Sequence, residues 1–159
     1  MNLHMAAHSL VTSVVAPGLV LAFRRSAPRV RPLAAWALFV GTLWVLNVPR
    51  VLDWITMRPA AYVVAAVVLV GVSFVFWAPL LGRRRSLRGL AAGAYLISAG
   101  MATDLIGAWY MAMGETVAGV VMVVGMIPLG VAAVVLMWTA LVDEERRALR
   151  SERYANAAR

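Results

Sequence analysis

Five apolar stretches, each close to or longer than the roughly 20 residues that cross a bilayer as a helix, take up almost the whole chain. They run approximately over 3–23, 33–52, 60–81, 89–110 and 115–142. The composition agrees with that pattern. Of 159 residues, 63% are hydrophobic and 14% are charged, with a mean hydropathy of +0.83, beyond what a soluble domain with one packed core normally reaches. The sequence therefore predicts an all-α, polytopic membrane helix bundle of about five transmembrane helices spanning residues 1–142, followed by a charged tail over 143–159.

The polar connections decide how such a bundle is oriented. All 15 basic residues are arginines. Four fall in "RRSAPRVRP", four in "GRRRSLRG" and five in "DEERRALRSERYANAAR", whereas Arg50 and Arg58 alone occupy the loop "RVLDWITMRP" and the connection "MAMGET" has none. With five spans the split is 13 against 2, and an even number of spans would destroy it. The excess of arginine on cytoplasmic loops predicts an N-terminus outside and a C-terminus in the cytoplasm. The net charge of +8 is absorbed by this orientation and does not call for nucleic acid as a partner. The first run lacks a basic n-region, its arginines follow it, and no small-residue cleavage site precedes them, so it is expected to stay attached as a span. The tail, rich in alternating charges, is expected to continue the last span as a helix into the cytosol.

The chain contains no cysteine, which removes thiolate metal sites and thiol redox chemistry and leaves His, Met and carboxylates to hold any soft metal. With depth measured at about 1.5 Å per residue, the polar residues of the spans collect in one layer. His4 and His8 open the first span. Asn47 lies about 14 residues into the second, Asp104 about 15 into the fourth, and Met122 and Met126 within the first dozen of the fifth, all in the outer half under the N-out orientation.

Residues four apart share a helix face, so His4 pairs with His8 and Met122 with Met126. Two imidazoles at this spacing can hold one copper or zinc ion, and thioethers favour Cu(I). Two histidines on one face cannot grip both sides of a haem. Each residue also has an ordinary structural explanation. A histidine near the headgroups can be hydrated, the methionines can be packing, and Asn47 can satisfy carbonyls freed by Pro49. Asp104 can be a protonated carboxyl bonding a neighbouring helix, but a carboxylate inside a span is a functional candidate by default, with a histidine or Arg50 as its expected partner. Gly89, Gly93, Gly100, Gly119 and Gly130 are expected to allow close helix approach, and Pro17, Pro49 and Pro128 to kink three spans.

The order of motifs resembles the CtaG-type membrane proteins associated with copper delivery to cytochrome c oxidase. "HMAAHSLVTSVVAPGLVL" is similar to that family's H-x-x-x-H pair followed by an A-P step. "LNVPRVLD" corresponds, through Pro49 and Asp53, to a W-H-x-P-x-x-x-D segment, "FWAPLL" to F-W-x-P-L-L, and "AGVVMVV" with "DEERR" to an A-G-x-x-M pattern before a charged tail. Asn47 stands where the family's second-span histidine would stand, the third span has no histidine, and the chain is shorter than typical members. His4, His8 and Met122 carry over as family-like positions.

The resemblance implies a non-enzymatic integral protein of a bacterial cell membrane that handles copper at the outer face for assembly of a haem-copper oxidase. His4 and His8 would be the ligands, supported by Met122, Met126 and Asp104. The alternative is a non-catalytic accessory subunit of a larger respiratory-type membrane complex that kept the fold and lost most of the metal site, its partners being lipid and other membrane subunits. A transporter is disfavoured by the absence of repeat pairing, and an enzyme by the absence of a nucleophile, base and oxyanion arrangement.

Overall fold

The computed structural model describes the backbone of residues 2–83 and 86–157 and the side chains of residues 6–83 and 86–150. Every regular element among the described residues is a helix. The first rod comprises α1 (Asn2–Leu10), a π-helical turn (Val11–Val15) and α2 (Ala16–Ala22). Then follow α3 (Pro32–Leu46), α4 (Pro49–Thr56), α5 (Pro59–Leu81), α6 (Gly89–Ala112), α7 (Thr116–Gly125) and α8 (Ile127–Ala157). Three helices, Pro59–Leu81, Gly89–Ala112 and Thr116–Arg150, are each long and apolar enough to cross a membrane, and the pair α3–α4 reaches that length only as a bent unit. The apolar part of the first rod, Ala6–Ala22, is shorter. At 1.5 Å per residue it measures about 26 Å, a little under the thickness of a typical hydrocarbon core.

The second span expected over 33–52, with a kink at Pro49, is broken into two helices there. α3 ends at Leu46 and α4 leaves it at 74°. The cause is Pro49, which drives Val48 into an extended conformation (φ −64°, ψ 125°) and then occupies the start of the next helix, where its missing N–H costs nothing. The last-turn carbonyls of α3 find local donors. Asn47 Nδ2 donates to Leu43 O at 2.7 Å, and Val48 N to Val45 O at 3.2 Å. α4 buries Leu52 and Ile55, one turn apart, and exposes Arg50, Asp53, Trp54 and Thr56. That is the pattern of an amphipathic helix with one face against the bundle. The Arg58 guanidinium lies over the Trp54 ring, 4.8 Å from its centroid.

Proline acts differently in the first rod. Ala16 N–H bonds Val11 O in the π register, so the next donor along, to Thr12 O, would come from residue 17. Pro17 has no N–H to give. Trp77 of α5 fills the gap, its Nε1 donating to Thr12 O at 2.8 Å. The widened turn is therefore locked from a neighbouring helix. Trp77→Phe keeps most of the ring volume but strands a buried carbonyl, and thermal unfolding in detergent is expected to show a loss of about 1–3 kcal/mol. At Pro128 the last rod breaks between α7 and α8, Met126 taking a 3₁₀-like bond from its N–H to Val123 O (3.1 Å).

α5 carries α2, α3, α4 and the π turn on one side of the bundle, while α6 carries α7 and α8 on the other, with α3 bridging to α6. The centre is an aromatic stack. Phe39, Phe76 and Tyr95, from α3, α5 and α6, lie face to face at 4.2 and 4.8 Å, and the Tyr95 hydroxyl donates to Phe76 O at 3.0 Å. Arg83 N donates to Arg24 O, and Arg88 lines a groove with Glu144 and Arg147, so the three arginine-bearing segments meet at one end of the bundle. α4, with Arg50, and Arg58 just before α5 lie at the other end of α5.

The glycines divide into two groups. At Gly93 an added Cβ would overlap Met137, and Gly107 and Gly119 face each other so closely that a Cβ on Gly119 would sit 2.5 Å from Gly107 O. These positions permit the α6–α8 and α6–α7 contacts. Gly100 and Gly130, expected to do the same, have open space where a side chain would be. Gly107, whose role was not expected, is the partner that Gly119 requires.

Candidate functional site

α1 runs alongside α7, and one close approach fixes their relative level. Ser9 lies so near Gly125 that any Cβ there would overlap the serine side chain. Thr12 ties the same turn of α1 together, its hydroxyl donating to His8 O at 2.9 Å and to Ser9 O at 3.1 Å, and the Ser13 hydroxyl also reaches Ser9 O. Hydroxyls that bond backward in this way loosen the helical ladder. That explains why the π turn begins at Val11.

The Ser9–Gly125 contact brings three of the expected ligands to one level. His8 immediately precedes Ser9 and is 8% exposed. Met122 and Met126 flank Gly125 within one turn and are 2% and 5% exposed. Each of the three is buried, and each lies within three residues of the Ser9–Gly125 contact along its own helix. The side chain of His4 lies outside the described residues; its backbone belongs to α1, one turn before His8. Among the described residues no three His, Asp or Glu side chains are grouped to hold a metal ion. A metal at this level would depend on methionine sulfur.

Asp104 stands in a different environment. It is half-buried on α6 and lines a groove of about 280 Å³ with Gly100, Met101, Val123, Met126 and Gly130. Its Oδ1 is buried without a hydrogen-bond partner. The lining of this groove includes neither His8 nor Arg50, the partners expected for the carboxyl. Met126, next to Gly125 in sequence, lines the Asp104 groove.

Asn47 is wholly buried and built into the end of α3. Besides its bond to Leu43 O, its own carbonyl accepts the Tyr110 hydroxyl at 2.8 Å, which ties α3 to α6. Its Oδ1 has no partner. Sequence reasoning missed the hydrogen bonds made by Thr12, Trp77 and Tyr110, which hold the π turn and tie α3 to α6. The signal for the first was available, since a threonine five residues before a proline is where a carbonyl loses its π-register donor. Nothing local marks Trp77 or Tyr110, whose partners lie 65 and 63 residues away.

Comparison with known protein families, with curated proteins and with solved structures finds no match for this chain.

Proposed function

We propose that this chain is a CtaG-like integral membrane factor that binds copper at the outer face of a bacterial cell membrane and passes it on during assembly of a haem-copper cytochrome c oxidase. The observation that carries this reading is the shared level of His8, Met122 and Met126 around the Ser9–Gly125 crossing. A nitrogen donor with thioether sulfurs suits Cu(I), and few ligands suit a metal that must leave again. His4, one turn nearer the N-terminus, supplies the second imidazole. The readout in cells is the copper content of the oxidase. His4→Ala with His8→Ala is expected to lower it, and a fully active oxidase with normal copper in that strain would overturn the reading.

The proposal includes five crossings with the N-terminus outside. It draws support from the meeting of all three arginine-bearing segments at one end, since cytoplasmic loops collect arginine. Single cysteines at Ser26 and Ser86 should be shielded from an impermeant thiol reagent in intact cells, while cysteines at Met57 and Glu115 should react. Labelling of Ser26→Cys or Ser86→Cys would overturn the topology.

A second reading, an accessory subunit of a larger membrane complex, is favoured by Asn47 and by the Asp104 groove. The residue at the expected histidine position serves helix termination, and Gly100 and Gly130 leave the face around Asp104 open to another helix. Under that reading Gly100→Leu, at a position whose Cβ would meet nothing within 4 Å, disperses the complex while the copper content stays unchanged. Gly93→Leu does not make this distinction, because it collides with Met137 of the same chain.

A further inference from the structure

Among the cavities at the arginine-rich end of the bundle, two differ in charge. The larger lies where α5, α6 and α8 meet and is rimmed by both signs, Arg88 and Arg147 with Asp143 and Glu144. The smaller, about 180 Å³, lies between the α2–α3 loop and the end of α5. Arg24, Arg25, Arg29 and Arg83 line it with Ala27 and Gly82, and no carboxylate is among its described lining residues. In sequence, too, the segments 23–31 and 82–88 hold eight arginines and no acid.

The smaller cavity is held together by defined contacts. Arg24 Nε donates to Leu81 O at 3.1 Å, the last carbonyl of α5, and Arg83 N donates to Arg24 O at 3.2 Å. These bonds clamp the loop to the helix end. Gly82 lets the two approach, since a Cβ there would stand 3.3 Å from the Ala27 Cβ and 2.6 Å from Ala78 O. Arg24 is thereby fixed through Nε, and among the described residues its two terminal nitrogens make no hydrogen bond; they are the part of a guanidinium that grips phosphate oxygens in pairs. Four guanidinium groups around a small concavity, with no carboxylate among its described lining residues, attract an anion.

We propose that this pocket binds the phosphate of an anionic phospholipid headgroup. The loop lies at the end of apolar helices, at headgroup depth, and Leu21, Phe23 and Leu33 flank it with exposed apolar side chains along which an acyl chain can lie. A free phosphate would gain nothing from that surface. The inference stands apart from the copper reading, which concerns the opposite end of the bundle.

The test is titration of phosphatidylglycerol into the delipidated full chain in detergent, followed by native mass spectrometry. Phosphatidylglycerol is expected to be retained in preference to phosphatidylcholine. Arg25→Gln with Arg29→Gln, which spares the Arg24 clamp, should weaken retention roughly twentyfold, and Arg25→Gln alone about fourfold. Arg88→Gln with Arg147→Gln, at the mixed-charge cavity, should leave it unchanged. Equal retention of the two lipids, or wild-type retention by the Arg25 and Arg29 variants, would overturn the proposal. Displacement of phosphatidylglycerol by an equal concentration of inorganic phosphate would assign the pocket to the free ion instead.

Discussion

Gly119→Leu is expected to break the contact between α6 and α7 and to leave little folded protein in the membrane. A Cβ alone at this position would stand 2.5 Å from the backbone carbonyl of Gly107 and from Met111 Cγ. The methionine side chain can move, but the carbonyl belongs to the α6 ladder and cannot. The two helices must therefore separate, which removes the close packing that substitutes for a hydrophobic driving force inside lipid. The cost should reach at least about 3 kcal/mol, the upper part of the range for overpacked interiors. Gly130→Leu, in the same rod but facing open space, should unfold at nearly the wild-type temperature. Thermal unfolding of both variants in detergent checks the pair, and equal melting of the two would contradict the account of how α6 and α7 are joined.

The helical class was legible because hydropathy acts locally, and so was the meeting of the arginine clusters at one end, because each connection carries its own charge. The second span was not legible as it forms. Pro49 was recognised, but whether a proline kinks a span or ends it depends on its surroundings. Here Val48 turns extended and Asn47 takes over the Leu43 carbonyl, so the chain can leave at 74° without stranding its last turn. The glycines illustrate the same limit. Gly93 and Gly119 meet neighbours while Gly100 and Gly130 do not, and spacing along one helix cannot reveal which face another helix will cover.

Counting residues along a span gives depth but not direction. The layer containing His8, Met122 and Met126 follows from counting residues along spans, and the Ser9–Gly125 crossing brings those positions to one level. Asp104 belongs to the same layer by count, yet it lines the groove of Gly100 and Gly130, whose lining does not include His8. A rotation of one helix about its axis separates these outcomes, and that rotation is decided by packing partners far along the chain.

The second large effect concerns the donors themselves. Exchanging Met122 and Met126 for leucine is expected to remove Cu(I) affinity while leaving the bundle standing. Leucine fills nearly the same volume as methionine, so each exchange should cost under about 1.5 kcal/mol even at a buried position. The chemical change is larger than the steric one, because a soft thioether donor disappears and nothing replaces it. His4→Ala with His8→Ala should act in the same direction through the nitrogen donors. If these side chains are packing only, the leucine exchanges change neither metal binding nor stability. A variant that unfolds would be recognised by its melting temperature and separated from one that folds but binds nothing.

The most direct measurement is titration of Cu(I) into the purified full-length chain against a chromogenic Cu(I) chelator. It should be run in parallel on the wild type and on the variant carrying His4→Ala, His8→Ala, Met122→Leu and Met126→Leu. Copper handling at the α1–α7 crossing predicts that the wild type withdraws one equivalent from the chelator and that the folded variant withdraws none. A wild type that leaves the chelator fully loaded, or a variant that competes equally well, would contradict it.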